Sequence, residues 1–324
     1  MQAIVYTQYG SPNVLHLKQV EKPAPGNGEV LVKVHAVSLN AYDLHFLRAD
    51  PFFLRLMGGG FLKPTNTILG ADMAGVVVLV GKNAGQFQPG DEVFGDIGSG
   101  GLAEYACARE NRLALKPVFM TVEQAAATPM AALTALQGLR DHGQLQPGQK
   151  VLINGAGGGV GTFAIQIAKS FGAEVTAVCG RHNLDLARGL GADQVIDYTR
   201  EDFTKNGLHY DLILAVNGYH SIFAYRRALS PNGIYVMAGG SLAQLLQGML
   251  MGTMMSRSGG QKMGSFLANI NQKDMGIINE LVESGKVKPV IDRSYPFAEA
   301  AEAFRYLEEG HARGKVVITV EQAG

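Results

Sequence analysis

The sequence predicts an α/β protein in two parts, a β-rich first part followed by a doubly wound parallel sheet. Residues 1–120 contain short β-branched runs with no amphipathic helix between them. From about residue 121, apolar runs alternate with segments of helical periodicity, which is typical of a parallel sheet covered by helices. The stretch 151–161 joins one of these runs to a helical segment through a cluster of glycines.

Composition excludes several classes of protein. The 324 residues suffice for two domains with cores of their own. The 28 Lys and Arg residues balance 28 Asp and Glu residues, which argues against a nucleic-acid surface. Two cysteines, Cys107 and Cys179, are too few for a disulfide framework or a four-cysteine zinc cluster. No apolar run has membrane-spanning length, and strand-like sequence begins at Met1, so we expect a cytoplasmic protein without membrane insertion.

The first part is predicted to be a compact, barrel-like β domain. Turn signals at 23–28 and 89–91 separate its β-branched runs. These runs lie at residues 4–6, 30–37, 75–80 and 91–94.

The second part is predicted to begin with a capped helix and then to alternate strands with helices. Thr121, with Glu123 and Gln124 in the first turn, has the pattern of a helix N-terminus. A helical segment is predicted to end near residue 284, and a last strand at 315–320 is expected to rejoin the first part. The other predicted strands lie at 150–154, 174–179, 194–197, 211–216 and 234–238, and the predicted helices at about 160–171, 183–190 and 221–229.

The glycine cluster has the spacing of a dinucleotide-binding turn. It reads Ala156-x-Gly158-x-x-Gly161, with alanine in place of the first glycine. Glycines here permit a sharp turn, close approach of backbone N–H groups to a pyrophosphate, and packing of the helix on the strand. The helix N-terminus adds partial positive charge. Glycine turns alone are common, but one between this strand and this helix predicts nucleotide binding.

The end of the next predicted strand indicates which nucleotide is bound. An NAD site usually places Asp or Glu here, on the ribose 2′-hydroxyl. No acid is present at 177–183, and Arg181 instead offers a charged fork to a 2′-phosphate. This favours NADPH as the cofactor, with a solvated loop arginine as the alternative.

Seven further motifs make the chain recognisable. They are SLNAYD at 38–43, GADMAG at 70–75, PGDEV at 89–93, GGLAEY at 100–105, LTA at 133–135, GADQVIDY at 191–198 and GHARGK at 310–315. With them, nearly the whole chain resembles the medium-chain dehydrogenase/reductase superfamily, in its zinc-free quinone oxidoreductase branch. The resemblance implies a GroES-like catalytic domain of residues 1–120 and 267–324 around a Rossmann NADP-binding domain of residues 121–266. Cofactor and substrate would lie in the cleft between the domains.

The resemblance also implies that no metal is bound. Zinc-dependent members carry Cys and His ligands where this chain has Asn40 and Ala71. Asp72 and His45 remain as conceivable ligands, although a lone histidine is more often a packing or surface residue. Without a Lewis acid, reduction of a polarised C=C bond or a quinone is favoured over oxidation of a simple alcohol.

Contacts with NADPH are implied for residues of both domains. Gly157 and Gly180 stand where close relatives often have serine, so only backbone contacts are carried over there. For Tyr198, the alternative to a cofactor contact is an aromatic side chain in the core. The implied residues are Gly157, Gly158, Gly159 and Val160 at the pyrophosphate, Gly180, Arg181 and Tyr198 around the adenosine, Thr134, Val216, Asn217, Ala238, Gly239 and Gly240 near the ribose and nicotinamide, and His311, Ala312 and Arg313 closing over the cofactor.

Three polar residues are candidates for the reaction cleft. Asn40 is expected to donate a hydrogen bond to the substrate carbonyl. Tyr42 either donates a proton or walls the pocket, and Asp43 is expected to orient the loop. No His–Asp or Ser–Lys constellation stands out, so water is an alternative proton source.

The expected function is zinc-independent, NADPH-dependent reduction of quinones or of the C=C bond of α,β-unsaturated carbonyls. An NADP-dependent alcohol dehydrogenase and a noncatalytic NADPH-binding or interaction protein are the alternatives. The expected partner is a small molecule, and whether the chain forms a homodimer is left open. The Met-rich stretch 241–265 is expected to cap the substrate cleft or pack on a second subunit, with core burial as the alternative.

Overall fold

The computed structural model describes residues 1–55, 60–217, 220–239 and 260–320, which form two compact units. Unit 1 comprises Met1–Met130, Ile270–Asn279 and Pro289–Gly324. Unit 2 comprises Ala131–Asn269 and Glu280–Lys288. Gly240 and residues 241–259 of the Met-rich stretch lie outside the described residues, so the role of that stretch stays a prediction.

The strands and α-helices of the described residues are numbered in chain order. The strands are β1 (Gln2–Val5), β2 (His16–Gln19), β3 (Glu29–Leu39), β4 (Asp72–Val80), β5 (Glu92–Asp96), β6 (Tyr105–Arg109), β7 (Leu113–Leu115), β8 (Lys150–Asn154), β9 (Glu174–Cys179), β10 (Gln194–Asp197), β11 (Tyr210–Ala215), β12 (Leu229–Met237), β13 (Lys262–Ser265), β14 (Ile291–Pro296) and β15 (Lys315–Thr319). The α-helices are α1 (Ala41–Arg48), α2 (Val122–Ala126), α3 (Pro129–Gln137), α4 (Gly159–Ser170), α5 (Leu184–Gly189), α6 (Ile222–Ala228), α7 (Gln272–Glu283) and α8 (Ala300–Glu308).

Unit 1 is built on a sheet with the strand order β14-β15-β3-β4-β5-β7, in which β6 also pairs with β3. Buried valines on β3, together with Phe304 of α8, belong to one hydrophobic core. β15 pairs antiparallel with β3 and sets Val316 opposite Leu39. Lys315 and Leu39 are 276 positions apart along the chain, yet their strands are hydrogen-bonded neighbours. This pairing confirms the prediction that the last strand returns to the β-rich part.

Unit 2 contains a parallel sheet with the strand order β10-β9-β8-β11-β12-β13. The predicted strands and helices of the alternating region are confirmed, with bounds that differ by a few residues. The chain order reverses on either side of β8. In open parallel sheets this reversal leaves a crevice at the carboxyl ends of the strands, where ligands bind.

The predicted helix start at Thr121 is confirmed in detail. Thr121 Oγ1 accepts a hydrogen bond from the Gln124 backbone N–H at 3.2 Å, and Gln124 Oε1 accepts one from the Thr121 N–H at 3.1 Å. This reciprocal capping box satisfies two N–H groups that a helix start otherwise leaves unpaired. No helix in the described ranges is long and apolar enough to cross a bilayer.

Candidate functional site

The loop between β8 and α4 contains glycines at which any side chain would collide with neighbouring backbone atoms. Gly155 has a φ of +89°, and a Cβ there would lie 2.9 Å from the Asn217 nitrogen. A Cβ on Gly161 would lie 2.3 Å from the Gly155 oxygen and 2.6 Å from the Ala156 Cα. Because those contacts are with backbone, α4 packs on the loop only when residue 161 has no side chain. This is the packing role predicted for the last glycine of the fingerprint.

The N-terminus of α4 is open to an anion. Its N-cap is Gly158, so no side chain caps the first turn. A Cβ on Gly158 would meet nothing closer than the Gly155 oxygen at 3.9 Å. The first backbone N–H groups of a helix have no partner within the helix and attract phosphate groups. The turn from Gly157 to Val160 can therefore accept a phosphate group, and its binding of pyrophosphate stays a prediction.

Asn183 lies against this loop, although the sequence did not single it out. A Cβ on Gly157 would be 2.3 Å from Asn183 Nδ2, so the Asn183 side chain occupies the space that a larger residue would need. Asn183 Oδ1 is buried and has no hydrogen-bond partner among the described residues. Its position in the sequence could have identified Asn183, since it is a polar residue two positions after Arg181 in the turn that follows β9.

The predicted adenosine residues come together at the ends of β9 and β10. A Cβ on Gly180 would lie 3.5 Å from the Tyr198 hydroxyl. Tyr198 is 53% exposed, which disfavours the core-aromatic alternative. The nearby Asp197 accepts hydrogen bonds from the Thr199 hydroxyl and N–H at 2.7 and 3.0 Å, and these bonds lower the pKa of its carboxyl. Arg181 is exposed and forms no ion pair within the described ranges, which leaves its guanidinium available to a phosphate.

The carboxyl ends of β8, β11 and β12 also meet at this sheet edge. The Val216 and Asn217 N–H groups donate to the Asn154 oxygen at 2.9 and 3.2 Å. A Cβ on Gly239 would be 2.3 Å from the Val216 oxygen, and the preceding residue, Ala238, bonds to β11 through its N–H. Thr134 lies elsewhere in unit 2, buried on α3. Most of the cofactor residues predicted for unit 2 thus share one sheet edge.

The remaining predicted cofactor residues belong to unit 1. His311, Ala312 and Arg313 form the turn between α8 and β15. The Arg313 N–H donates to Asp292 Oδ2 at 2.8 Å, which anchors the turn on β14.

Asn40 begins α1 and is 91% buried, with an exposed fraction of 9%. Its Nδ2 donates to Asp72 Oδ2 at 2.9 Å and, over a longer 3.4 Å, to the Ser38 oxygen. Its Oδ1 accepts a hydrogen bond from Lys315 Nζ. Each polar atom of the Asn40 amide therefore has a partner inside unit 1.

Asp43, which is predicted to orient the loop, accepts hydrogen bonds from backbone groups around Asn40. Its Oδ2 accepts from the Asn40 N–H at 2.9 Å, and its Oδ1 accepts from the Gly70 and Ala71 N–H groups at 3.0 and 3.2 Å. Complete burial raises the pKa of the Asp43 carboxyl to about 6, although these hydrogen bonds oppose the rise. Its contacts are those of an orienting residue.

Three more ionisable side chains surround Asn40. Lys315 is 3% exposed, and its Nζ lies 3.6 Å from Asp72 Oδ2. Burial raises the pKa of Asp72, and the Lys315 ammonium opposes the rise. Burial also raises the pKa of Asp96, which lies opposite Asp72 in the β4–β5 register, and lowers the pKa of Lys315. Excess buried carboxyl groups thus face a single buried ammonium group.

Tyr42 is more accessible than Asn40 and Asp43. It is 37% exposed, and its ring contacts that of Phe46 with centroids 4.6 Å apart. Its hydroxyl has no hydrogen-bond partner in the described part of the chain, and partial burial raises its pKa. The hydroxyl therefore keeps its proton at neutral pH and is available as a donor.

The donor set around Asn40 does not fit a zinc ion. Zinc sites use thiolate, imidazole and carboxylate ligands. Here Ala71 has no donor atom, and the oxygens of Asn40 and Asp72 already face the Lys315 ammonium. A divalent cation would have to displace that positive charge.

Comparison with known proteins agrees with this architecture. The alcohol dehydrogenase GroES-like domain family matches residues 26–118, and the zinc-binding dehydrogenase family matches residues 190–318. The chain belongs to the medium-chain dehydrogenase/reductase superfamily, with a GroES-like domain and a Rossmann-type parallel sheet.

Individual relatives assign the branch, which is that of the quinone oxidoreductases. The mouse NAD(P)H oxidoreductase RTN4IP1, a mitochondrial protein, is 36% identical over 99% of this chain and 89% of its own. The 2-methylene-furan-3-one reductase of Solanum lycopersicum is 37% identical over 98% of this chain and 79% of its own. The solved quinone oxidoreductase of Coxiella burnetii has a TM-score of 0.88 at 30% identity and covers 99% of both chains. The protein is thus an oxidoreductase that uses a nicotinamide cofactor.

Proposed function

We propose that the protein is an NADPH-dependent, zinc-independent reductase of quinones or of the C=C bond of α,β-unsaturated carbonyls. Two observations carry the proposal: Arg181 is exposed directly after Gly180, which lies against Tyr198, and the donor set around Asn40 does not suit zinc. The names of the tomato and Coxiella relatives support the two substrate classes. The proposal includes a catalytic domain of residues 1–120 and 267–324 and a nucleotide-binding domain of residues 121–266.

The chain's own residues have separate roles in this proposal. The uncapped N-terminus of α4 and the guanidinium of Arg181 bind the phosphate groups of NADPH, which supplies hydride when bound. The Asn40 amide donates to the substrate carbonyl oxygen as negative charge develops there. Tyr42 delivers a proton through its hydroxyl, which has no hydrogen-bond partner among the described residues, or water does. Asp43 orients the loop that carries both.

A substrate panel followed by NADPH absorbance tests the function directly. We expect oxidation of NADPH with a quinone or an enone, and activity that survives prolonged chelation. Turnover of simple alcohols with NADP⁺ instead would identify the alcohol dehydrogenase alternative. Tight NADPH binding without turnover of any substrate would identify a noncatalytic binding protein. One tightly bound zinc per subunit, lost together with activity, would contradict zinc independence.

Two variants test the assigned roles. Asn40→Ala should lower turnover of an enone by about tenfold or more while NADPH affinity changes little, because a donor to the developing enolate acts in the transition state. Tyr42→Phe should lower turnover if the hydroxyl supplies the proton and leave it unchanged if the ring only walls the pocket. Full activity in both folded variants would remove both side chains from the chemistry.

Location and assembly stay predictions. We propose that the protein is cytoplasmic, although the mouse relative is named as mitochondrial. Fractionation of cells that express the natural chain would decide the location, and sedimentation would decide between monomer and homodimer.

A further inference from the structure

Lys315 fixes one end of the Asn40 amide. The lysine is the first residue of β15, and its Nζ donates to the Leu39 oxygen at 3.1 Å as well as to Asn40 Oδ1. An ammonium group has three donors and no acceptor. The atom of the Asn40 amide that faces Lys315 must therefore be the oxygen.

Asp72 fixes the other end of the same amide. Its Oδ2 accepts from Asn40 Nδ2 at 2.9 Å, and the Met130 N–H holds the carboxyl through Oδ1 at 3.1 Å. Rotating the Asn40 amide by a half turn would place its NH₂ group against the ammonium and its oxygen against the carboxyl. Both contacts would then be repulsive in a buried setting, where electrostatic interactions are strong.

One hydrogen of the amide is left with a weak partner. The second Nδ2–H of Asn40 points to the Ser38 oxygen over 3.4 Å, beyond the usual length of an N–H···O bond. A substrate oxygen could replace this contact at little cost. The same amide in the opposite orientation would present its oxygen and repel a developing enolate.

We propose that Lys315 and Asp72 are positioning residues that keep an N–H of Asn40 directed toward the substrate oxygen. The inference rests on the function proposed above. Both residues act through Asn40, and together they determine that the developing charge meets a donor and not an acceptor.

The local charge dictates which variant can test this. Lys315 faces Asp72 on β4, Asp43 on α1 and Asp96 on β5, all buried. Removing the lysine alone would leave buried carboxyl groups without their counter-ion and could prevent folding. The double variant Lys315→Met/Asp72→Asn removes one charge of each sign. In this variant, the side-chain oxygen of the new asparagine can accept from the Met130 N–H. Its NH₂ group then faces Asn40 and needs an oxygen there, which favours the reversed orientation of the Asn40 amide.

Kinetics with NADPH and an enone provide the first test. For Lys315→Met/Asp72→Asn we expect kcat to fall by about tenfold or more, with the Kd for NADPH changed by less than about twofold. The single variant Lys315→Arg keeps a donor toward Asn40 Oδ1, so its kcat should lie between those of the double variant and the wild-type protein. The matched control is Lys116→Met, because the Lys116 side chain in unit 1 is only 7% exposed but pairs with Glu92 at 3.3 Å. That variant should keep the wild-type kcat.

The amide signals of Asn40 provide a test that does not depend on activity. In protein labelled with ¹⁵N-asparagine, the Nδ2 signals can be assigned by their loss in Asn40→Ala. We expect them to shift in the double variant and to stay in place in Lys116→Met. An unchanged kcat in the double variant, or unchanged amide signals, would overturn the inference. If the wild-type protein reduces neither quinone nor enone, the proposed function fails, and the amide signals still decide whether Lys315 and Asp72 hold Asn40.

Discussion

The two units build their candidate sites from different groups. In unit 2 the site is mostly backbone: Gly161 lets α4 approach the loop, and no described side chain caps the first turn of α4 at Gly158. In unit 1 the site is a set of side chains, with Asn40 held between Lys315 and Asp72 in a buried cluster. One site is thus defined by the absence of side chains and the other by their charge.

This difference determines how each site should respond to change. Backbone N–H groups do not titrate, so the loop of unit 2 should be sensitive to added volume and insensitive to pH. Buried carboxyl groups respond to pH because burial penalises their charged form. The cluster of unit 1 should therefore be sensitive to charge and pH.

The largest effect is expected from one methyl group at Gly161. Gly161→Ala places a Cβ 2.3 Å from the Gly155 oxygen, and neither backbone segment can yield cheaply. We expect a loss of about 2–3 kcal/mol in the free energy of unfolding, measured by urea denaturation, together with weaker NADPH binding. Gly189→Ala is the matched control, because a Cβ there meets nothing within 4 Å. If Gly161→Ala were as stable as Gly189→Ala, the loop would not be packed as described.

A smaller effect is expected at Arg181, a charged side chain of the unit 2 site. Arg181→Ala should remove most of the preference for NADPH over NADH, which we expect to be at least about tenfold in Kd because charge-assisted hydrogen bonds contribute about 1.5–3 kcal/mol. Calorimetric titration of both nucleotides measures it. Arg200→Ala, which removes an exposed arginine three residues after Asp197, should leave the preference intact. Equal Kd values for both nucleotides in the wild-type protein would contradict the assignment of Arg181.

The effect of pH separates the two units most directly. Burial raises the pKa of Asp43 from 3.8 to about 6, so at mildly acidic pH the folded protein holds a proton that the unfolded chain releases. That contribution to stability is complete below the unfolded pKa and is lost as the pH rises through about 6. Between pH 5 and 6 we expect the free energy of unfolding to fall by about 1 kcal/mol.

Two variants identify the group responsible for this pH dependence. Asp43→Asn cannot ionise, so its unfolding free energy should depend less on pH in the same range. Asp193→Asn is the control in unit 2, since Asp193 pairs with Lys169 and its pKa is lowered by that contact, against burial. Both the folded and the unfolded protein have Asp193 ionised above pH 5, so its replacement should leave the pH dependence unchanged. An equal pH dependence in wild type and Asp43→Asn would rule out Asp43 as the source.

The sequence by itself determined the features that short stretches of chain encode. Alternating apolar runs gave the parallel sheet, Thr121 and Gln124 gave a helix start, and the glycine spacing gave the loop before α4. These succeed because periodicity, capping and backbone freedom act over a few residues. Asp43 was also assigned an orienting role, three residues from the N–H that it accepts.

Only the tertiary structure decided the surroundings of Asn40 and Gly157. Lys315 lies 275 residues from Asn40, and the sequence showed it as the last residue of the motif at 310–315 and the first of a predicted strand, with no role of its own. Asp72 was weighed only as a metal ligand, and Asn183 was not considered. Their roles depend on which strands pair and which loops meet, because strand pairing brings charges together regardless of their distance along the chain. The effect of a buried charge depends on the groups around it, and those groups come together only when the chain folds.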